Sequence, residues 1–256
     1  MPSPISDVVN ELDLVKKGCL GLLADLRAFH PVPTGTPYPD TYRLLVVPML
    51  YAAWERCFTI SNAIVWRRLR DETISAGALI SSEKAAWLMK AGFYESYRKT
   101  LLNIAGGSER KPKKSHFPAL STFLSELEQW YDNPLDVSID TDDLVMRFGN
   151  VNPEVVALNA AAIGIDTFPA FRSIQFGRLH TLVELRNGIG HGGTLNPPDN
   201  AEFIDLWSFT EQVIEDYSEV FKAWIVLRFP PPPPPPRFFE RLRRASSQFI
   251  KNIGAG

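Results

Sequence analysis

The amino-acid sequence predicts an all-α protein, a helical bundle with long central helices, followed by a polyproline segment and a basic tail. Apolar residues recur at helical spacing over three long stretches, Val8 to Ala28, Tyr42 to Arg70 and Ala201 to Leu227. Only Leu144 to Phe148 offers a short extended piece. Pro230 to Pro236 is an unbroken proline run that can form only a stiff polyproline II rod, so the globular body should end near Phe229. The expected organisation is therefore a helical domain over 1–229 and a rod with a basic tail over 230–256.

Composition bounds the function. The 256 residues are 45% apolar and 11% aromatic, too hydrophobic for a disordered chain. A net charge of -2 and a pI near 6.1 exclude a surface coated with cations, so an anionic ligand must be held locally. Cys19 and Cys57 are the only cysteines, which leaves no disulfide framework and no cysteine-based zinc site. Residues 1–14 lack the basic stretch and apolar run of a leader, and no uninterrupted apolar stretch reaches the roughly 20 residues of a membrane span. A cytoplasmic protein without stable membrane insertion is expected.

The first helix, Val8 to Ala28, follows Ser6 and Asp7, both good N-cap residue types. Phe29 to Asp40 carries Pro31, Pro33, Pro37, Pro39 and Gly35, and reads as a surface loop. The second helix, Tyr42 to Arg70, has the most apolar centre and should be the core helix, with Pro48 either kinking it or sitting in its true first turn. Glu55 interrupts that apolar run. Buried there, its carboxylate needs an Arg or backbone donors; otherwise Glu55 and Arg56 form the solvent stripe of an amphipathic helix.

Ala85 to Ile104 and Leu120 to Tyr131 are further helical stretches. Between them Arg110, Lys111, Lys113 and Lys114 concentrate positive charge, either to attract phosphates or simply as a solvated loop. Asp132 to Asp143 is acidic and turn-rich. Asn152 caps a helix that opens on Pro153 and ends at Gly164. Gly177 to His191 is the next helix, and Arg237 to Ile253 is a basic amphipathic tail.

The chemistry concentrates at one place. Gly-rich phosphate loops, Gly-x-Ser-x-Gly elbows and His-Glu-x-x-His pairs are all missing. Of the four histidines only His191 has a suggestive setting, five residues after Arg186 and four after Asn187. Metal-free cleavage of an RNA phosphodiester uses the ribose 2'-hydroxyl as nucleophile, so a protein must move protons and stabilise a phosphorane. An imidazole suits the first task, a guanidinium the second, and a carboxamide can hold a phosphate oxygen or orient the imidazole.

On a regular helix Arg186 and His191 would lie about 140° apart, but Gly188, Gly190, Gly192 and Gly193 loosen the end and allow His191 to swing toward the arginine. Two subunits meeting about a two-fold axis would bring both motifs to one cleft. The structural alternative makes His191 a favourable cation near a helix terminus and Arg186 the partner of Glu55. A zinc site of His180, Glu184 and His191 fails on distance, since the two histidines are about 16 Å apart along the helix.

The stretch Leu185-Arg186-Asn187-Gly188-Ile189-Gly190-His191-Gly192 resembles the motif of the HEPN superfamily, whose usual form is close to Leu-Arg-Asn-x-Ile-Ala-His-Gly; only Gly190 departs. Ala52-Ala53-Trp54-Glu55, the helix start Asn150 to Val155 and Gly164-Ile165-Asp166 are similar to a bacterial group of stand-alone HEPN nucleases, so the resemblance covers roughly 40–228. It implies an all-helical, metal-independent endoribonuclease that needs no cofactor and works as a homodimer, often as a toxin or in defence against phage. Arg186 and His191 would be the catalytic pair and Asn187 the polar companion. An antitoxin or defence-complex partner fits the same implication. From the residues themselves, Glu55 is the expected supporting residue and the charge run Arg110, Lys111, Lys113 and Lys114 the expected RNA-binding surface. The rival classes are a HEPN module that binds RNA, a nucleotide or a protein without cleaving, and an interaction protein acting through its rod and tail.

Overall fold

The computed structural model describes residues 4–30, 36–72, 81–90, 140–147, 149–190 and 196–230, with Ser121, Ser125 and Glu128. Among these residues the chain is helical and has no strand. Three long helices form the centre: α1 (Ile5–Phe29), α2 (Asp40–Glu72) and, near the end of the described chain, Asn200–Arg228. They pack pairwise against one another around Leu12, Leu23, Leu50, Trp54, Phe58, Tyr217 and Phe221, all essentially inaccessible to solvent. Between α2 and the last long helix the chain forms α3 (Ser81–Lys90), α4 (Thr141–Leu144), α5 (Pro153–Ile163), a 3-10 turn (Ile165–Thr167), α6 (Pro169–Arg172) and α7 (Leu179–Gly190); Asn200–Arg228 is α8.

α2 is the hub. It touches α1, α8, α7 and α4, so almost every face must be apolar, as the composition of its centre demands. Its stretch Asp40–Asp71 is long and apolar enough to cross a membrane by length and composition, but half of the apolar window is buried inside the bundle. Pro48 lies well inside the helix, so it does not mark a first turn; its ring removes the donor that the Leu44 carbonyl would receive. The rim of the three-helix centre is tied by ion pairs: Lys222 to Asp13 at 2.7 Å, Lys16 to Glu219, Arg67 to Glu11 at 3.1 Å and Arg27 to Glu211 at 3.2 Å.

α1 starts two residues before Asp7, after Pro4 and without a side-chain cap, so Ser6 and Asp7 sit in its first turn rather than at its boundary. α5 begins and ends as its sequence dictates. Asn152 Oδ1 accepts from the Val155 N–H at 2.9 Å, and Gly164 closes the helix at φ 79°, a left-handed conformation that favours glycine. Of the expected extended piece at Leu144 to Phe148, the described residues 144–147 form no strand: Asp140 caps the single turn α4, and Asn159 of α5 captures the next backbone unit. Its carboxamide accepts from the Met146 N–H at 3.0 Å and donates to the Met146 carbonyl at 2.7 Å. A buried asparagine thus supplies the pairing a second strand would have given.

α3 covers the start of the expected Ala85 to Ile104 helix. The remainder of that helix, the basic loop, most of Leu120 to Tyr131, and the rod and tail beyond Pro230 lie outside the described residues.

Candidate functional site

The site is built where α7 crosses α2. On α7, Leu179, Leu182 and Val183 are buried against the bundle, and Arg186 follows at the next helical repeat of the same stripe. Docking the apolar stripe therefore carries a guanidinium onto α2. It lands on Tyr51, with the guanidinium carbon 5.1 Å from the ring centre, within the range of a cation–π contact.

Tyr51 is held as firmly as it holds Arg186. Its hydroxyl accepts from the Val151 N–H at 2.8 Å, while the Trp54 indole N–H donates to the Val151 carbonyl at 3.2 Å. Side chains one turn apart on α2 thus grip both polar groups of one buried residue. The Ala-Ala-Trp-Glu turn and the Asn150 to Val155 helix start, far apart in sequence, are two halves of this clasp.

Pinning Val151 places its neighbours. Asn152 caps α5, and Asn150 turns its carboxamide oxygen to Arg186, whose Nη1 donates to it at 3.4 Å and to Asn187 Oδ1 at 2.9 Å. Arg186, Asn187 and Asn150 are all partly accessible. Asn150 and Tyr51 were not singled out from the sequence as site residues. Asn150 belongs to a segment that read as a helix start and as part of the family resemblance without a site role, and Tyr51 to an apolar run that read only as core.

Glu55 is half-buried on the accessible side of α2, so the cost of sinking a carboxylate into the apolar run does not arise. It lies beside the Tyr51 hydroxyl. Burial pushes that phenol above its ordinary value, and the hydrogen bond from the Val151 N–H works against the rise; the charge of Glu55 and its hydrogen bond add to it, and the charge of Arg186 opposes it. Arg186 directs its hydrogen bonds to the two amides instead of Glu55, so the alternative of a direct Arg186–Glu55 pair is not what forms, while half-buried Glu55 and exposed Arg56 match the solvent-stripe reading.

α7 ends at Gly190 within the described chain, so His191 lies outside the described residues, as do Arg110, Lys111, Lys113 and Lys114. The chain re-emerges at 196–199 beside the start of α2, where the buried Arg43 donates to the Pro198 carbonyl and the Tyr38 N–H to Asn200 Oδ1 at 2.9 Å. Arg186 itself stands one helical turn before Gly190, the last described residue of α7. His180 is elsewhere on α7, exposed, with Nε2 3.3 Å from a Glu154 carboxylate oxygen.

Among known proteins, the RiboL-PSP-HEPN family model matches residues 22–223, from within α1 to within α8. No curated protein and no solved structure matches the chain. The matched span takes in α2, the clasp at Val151 and the whole of α7. An all-α bundle whose matched region holds the Arg-Asn motif on a helix docked to its core helix belongs to the RiboL-PSP-HEPN family, within the HEPN superfamily, and its family-level role is RNA-related.

Proposed function

We propose that the protein is a metal-independent endoribonuclease. The observation that carries this reading is the setting of Arg186: a guanidinium stacked on Tyr51, fixed by two neutral amides, partly open to solvent, and one helical turn before the glycine-rich segment bearing His191. An arginine held by amides keeps its positive charge uncancelled by a hydrogen-bonded carboxylate, as stabilisation of a phosphorane requires.

In the proposed reaction His191 relays protons. The 2'-hydroxyl loses its proton and attacks phosphorus, the bond from phosphorus to the 5'-oxygen breaks, and that oxygen leaves as a hydroxyl after taking a proton. The products are a 2',3'-cyclic phosphate and a 5'-hydroxyl. Arg186 meets the charge developing on the non-bridging oxygens, and Asn187 steadies the guanidinium. Glu55 acts through Tyr51, and Arg110, Lys111, Lys113 and Lys114 gather the RNA strand. We further propose a cytoplasmic toxin or anti-phage effector that works as a homodimer and is controlled by an antitoxin or defence complex.

The test is incubation of purified protein with total RNA in EDTA. Cleavage is expected with wild type and absent with His191→Ala and Arg186→Ala proteins that retain their helical content. Equal cleavage by all three would overturn the assignment.

A further inference from the structure

We infer that Asn150 contacts the substrate directly, its amide N–H donating to a non-bridging oxygen of the phosphodiester that Arg186 binds. This rests on the endoribonuclease reading and adds a residue that neither the motif nor its spacing contains.

Both hydrogen bonds of Arg186 leave from Nη1, so Nη2 and Nε have no partner among the described residues. That edge of the guanidinium is the one that grips a phosphate through parallel N–H donors. Because Nη1 takes the carboxamide oxygens of both Asn150 and Asn187, the amide nitrogens of those side chains are turned away from the arginine. Neither amide nitrogen has another partner among the described residues, and both side chains are partly accessible. The result is a cluster of outward donors around one retained positive charge, with both carboxamide oxygens turned inward to Nη1. Such a cluster repels cations and suits an anion with several acceptor oxygens.

Asn150 is also fixed independently of α7. Its own N–H donates to the Arg147 carbonyl at 3.1 Å, and the next residue is clamped from both sides by Tyr51 and Trp54. A donor pre-positioned on a separate element costs little ordering when the substrate arrives.

The experiment measures binding of a short, fluorescent, 2'-O-methylated single-stranded RNA, which cannot be cleaved, to the full chain over a series of salt concentrations. Asn150→Ala is expected to weaken binding about tenfold, the scale of a hydrogen bond to a charged group. The slope of affinity against salt should stay that of wild type, since an amide displaces no counterion. Arg186→Gln is the reference and should lower that slope by about 0.7, one phosphate contact on a single strand. If Asn150→Ala lowers the slope as Arg186→Gln does, Asn150 only holds the arginine and the inference fails; it fails also if affinity stays within about twofold. Should Asn150→Ala lose helical content, Asn150→Leu, which keeps side-chain volume and has no polar donor, is measured in its place against the same two criteria. Cleavage by wild type in EDTA is scored separately: binding that depends on Asn150 without any cleavage would overturn the nuclease reading and leave the phosphate contact standing.

Discussion

The Arg186 guanidinium lies 5.1 Å from the centre of the Tyr51 ring, joining the helix that carries the Arg-Asn motif to the core helix of the bundle. The contact is more than packing, because Tyr51 also fixes the segment that presents Asn150.

Tyr51→Phe is expected to keep the ring beneath Arg186 and to lose the acceptor of the buried Val151 N–H. Stability should fall by about 1–3 kcal/mol in urea unfolding, the cost of leaving one buried donor unpaired. Tyr51→Ala also opens a cavity and should cost about 3–5 kcal/mol.

Arg186→Lys retains the charge while giving up the planar fork and the stacking on Tyr51. Cleavage measured at saturating RNA should drop about 10²- to 10³-fold, the scale of losing an aligned donor to a developing oxyanion. Activity close to wild type would mean that charge alone suffices.

A Cβ added at Gly190 meets no atom within 4 Å, and Gly190 is the last helical residue of α7. Gly190→Ala, which restores the usual form of the motif, should stabilise the protein by about 0.5 kcal/mol in chemical denaturation, by lowering the entropy of the unfolded chain.

Asn159 is buried, and its carboxamide serves Met146 twice and the Val155 carbonyl at 2.8 Å. Asn159→Ala should cost about 2–4 kcal/mol, since several backbone groups lose their partner together. Hydrogen exchange at the Met146 amide should accelerate more than exchange within α1.

Hydrogen bonds from Lys222 hold the Asp13 carboxyl below its ordinary value, and hydrogen bonds from Lys16 and Lys222 do the same to Glu219. Carboxylates lowered in the folded state contribute stability above their unfolded values and lose it as pH falls through their folded ones. Thermal stability should therefore decline on acidification below about pH 4.5, and less steeply in Lys222→Met, where both carboxylates lose a partner. Equal pH profiles for the two proteins would show that these partly buried pairs carry no measurable linkage.

The helical class, the three long helices and the Arg186-Asn187-His191 motif follow from local pattern, because helical spacing and cap chemistry act within one or two turns. Asn152, Pro153 and Gly164 delimit α5 for that reason. The turn at Asn159 and Met146 was hidden because its hydrogen bonds join residues 13 apart through a side chain, which no periodicity records. The same limit concealed Asn150 and Tyr51. Each reads as ordinary structure until α2, α7 and the 150–152 segment meet. Of the two readings of Glu55, the half-buried position beside exposed Arg56 matches the solvent stripe, and Arg186 takes amide partners instead. Composition and short-range spacing thus specified the long helices and α5 and which residues bear charge, but not the short turns between them. Packing of helices far apart in the chain decided which side chains meet, since only burial of the shared apolar faces brings Arg186 onto Tyr51 and beside Asn150.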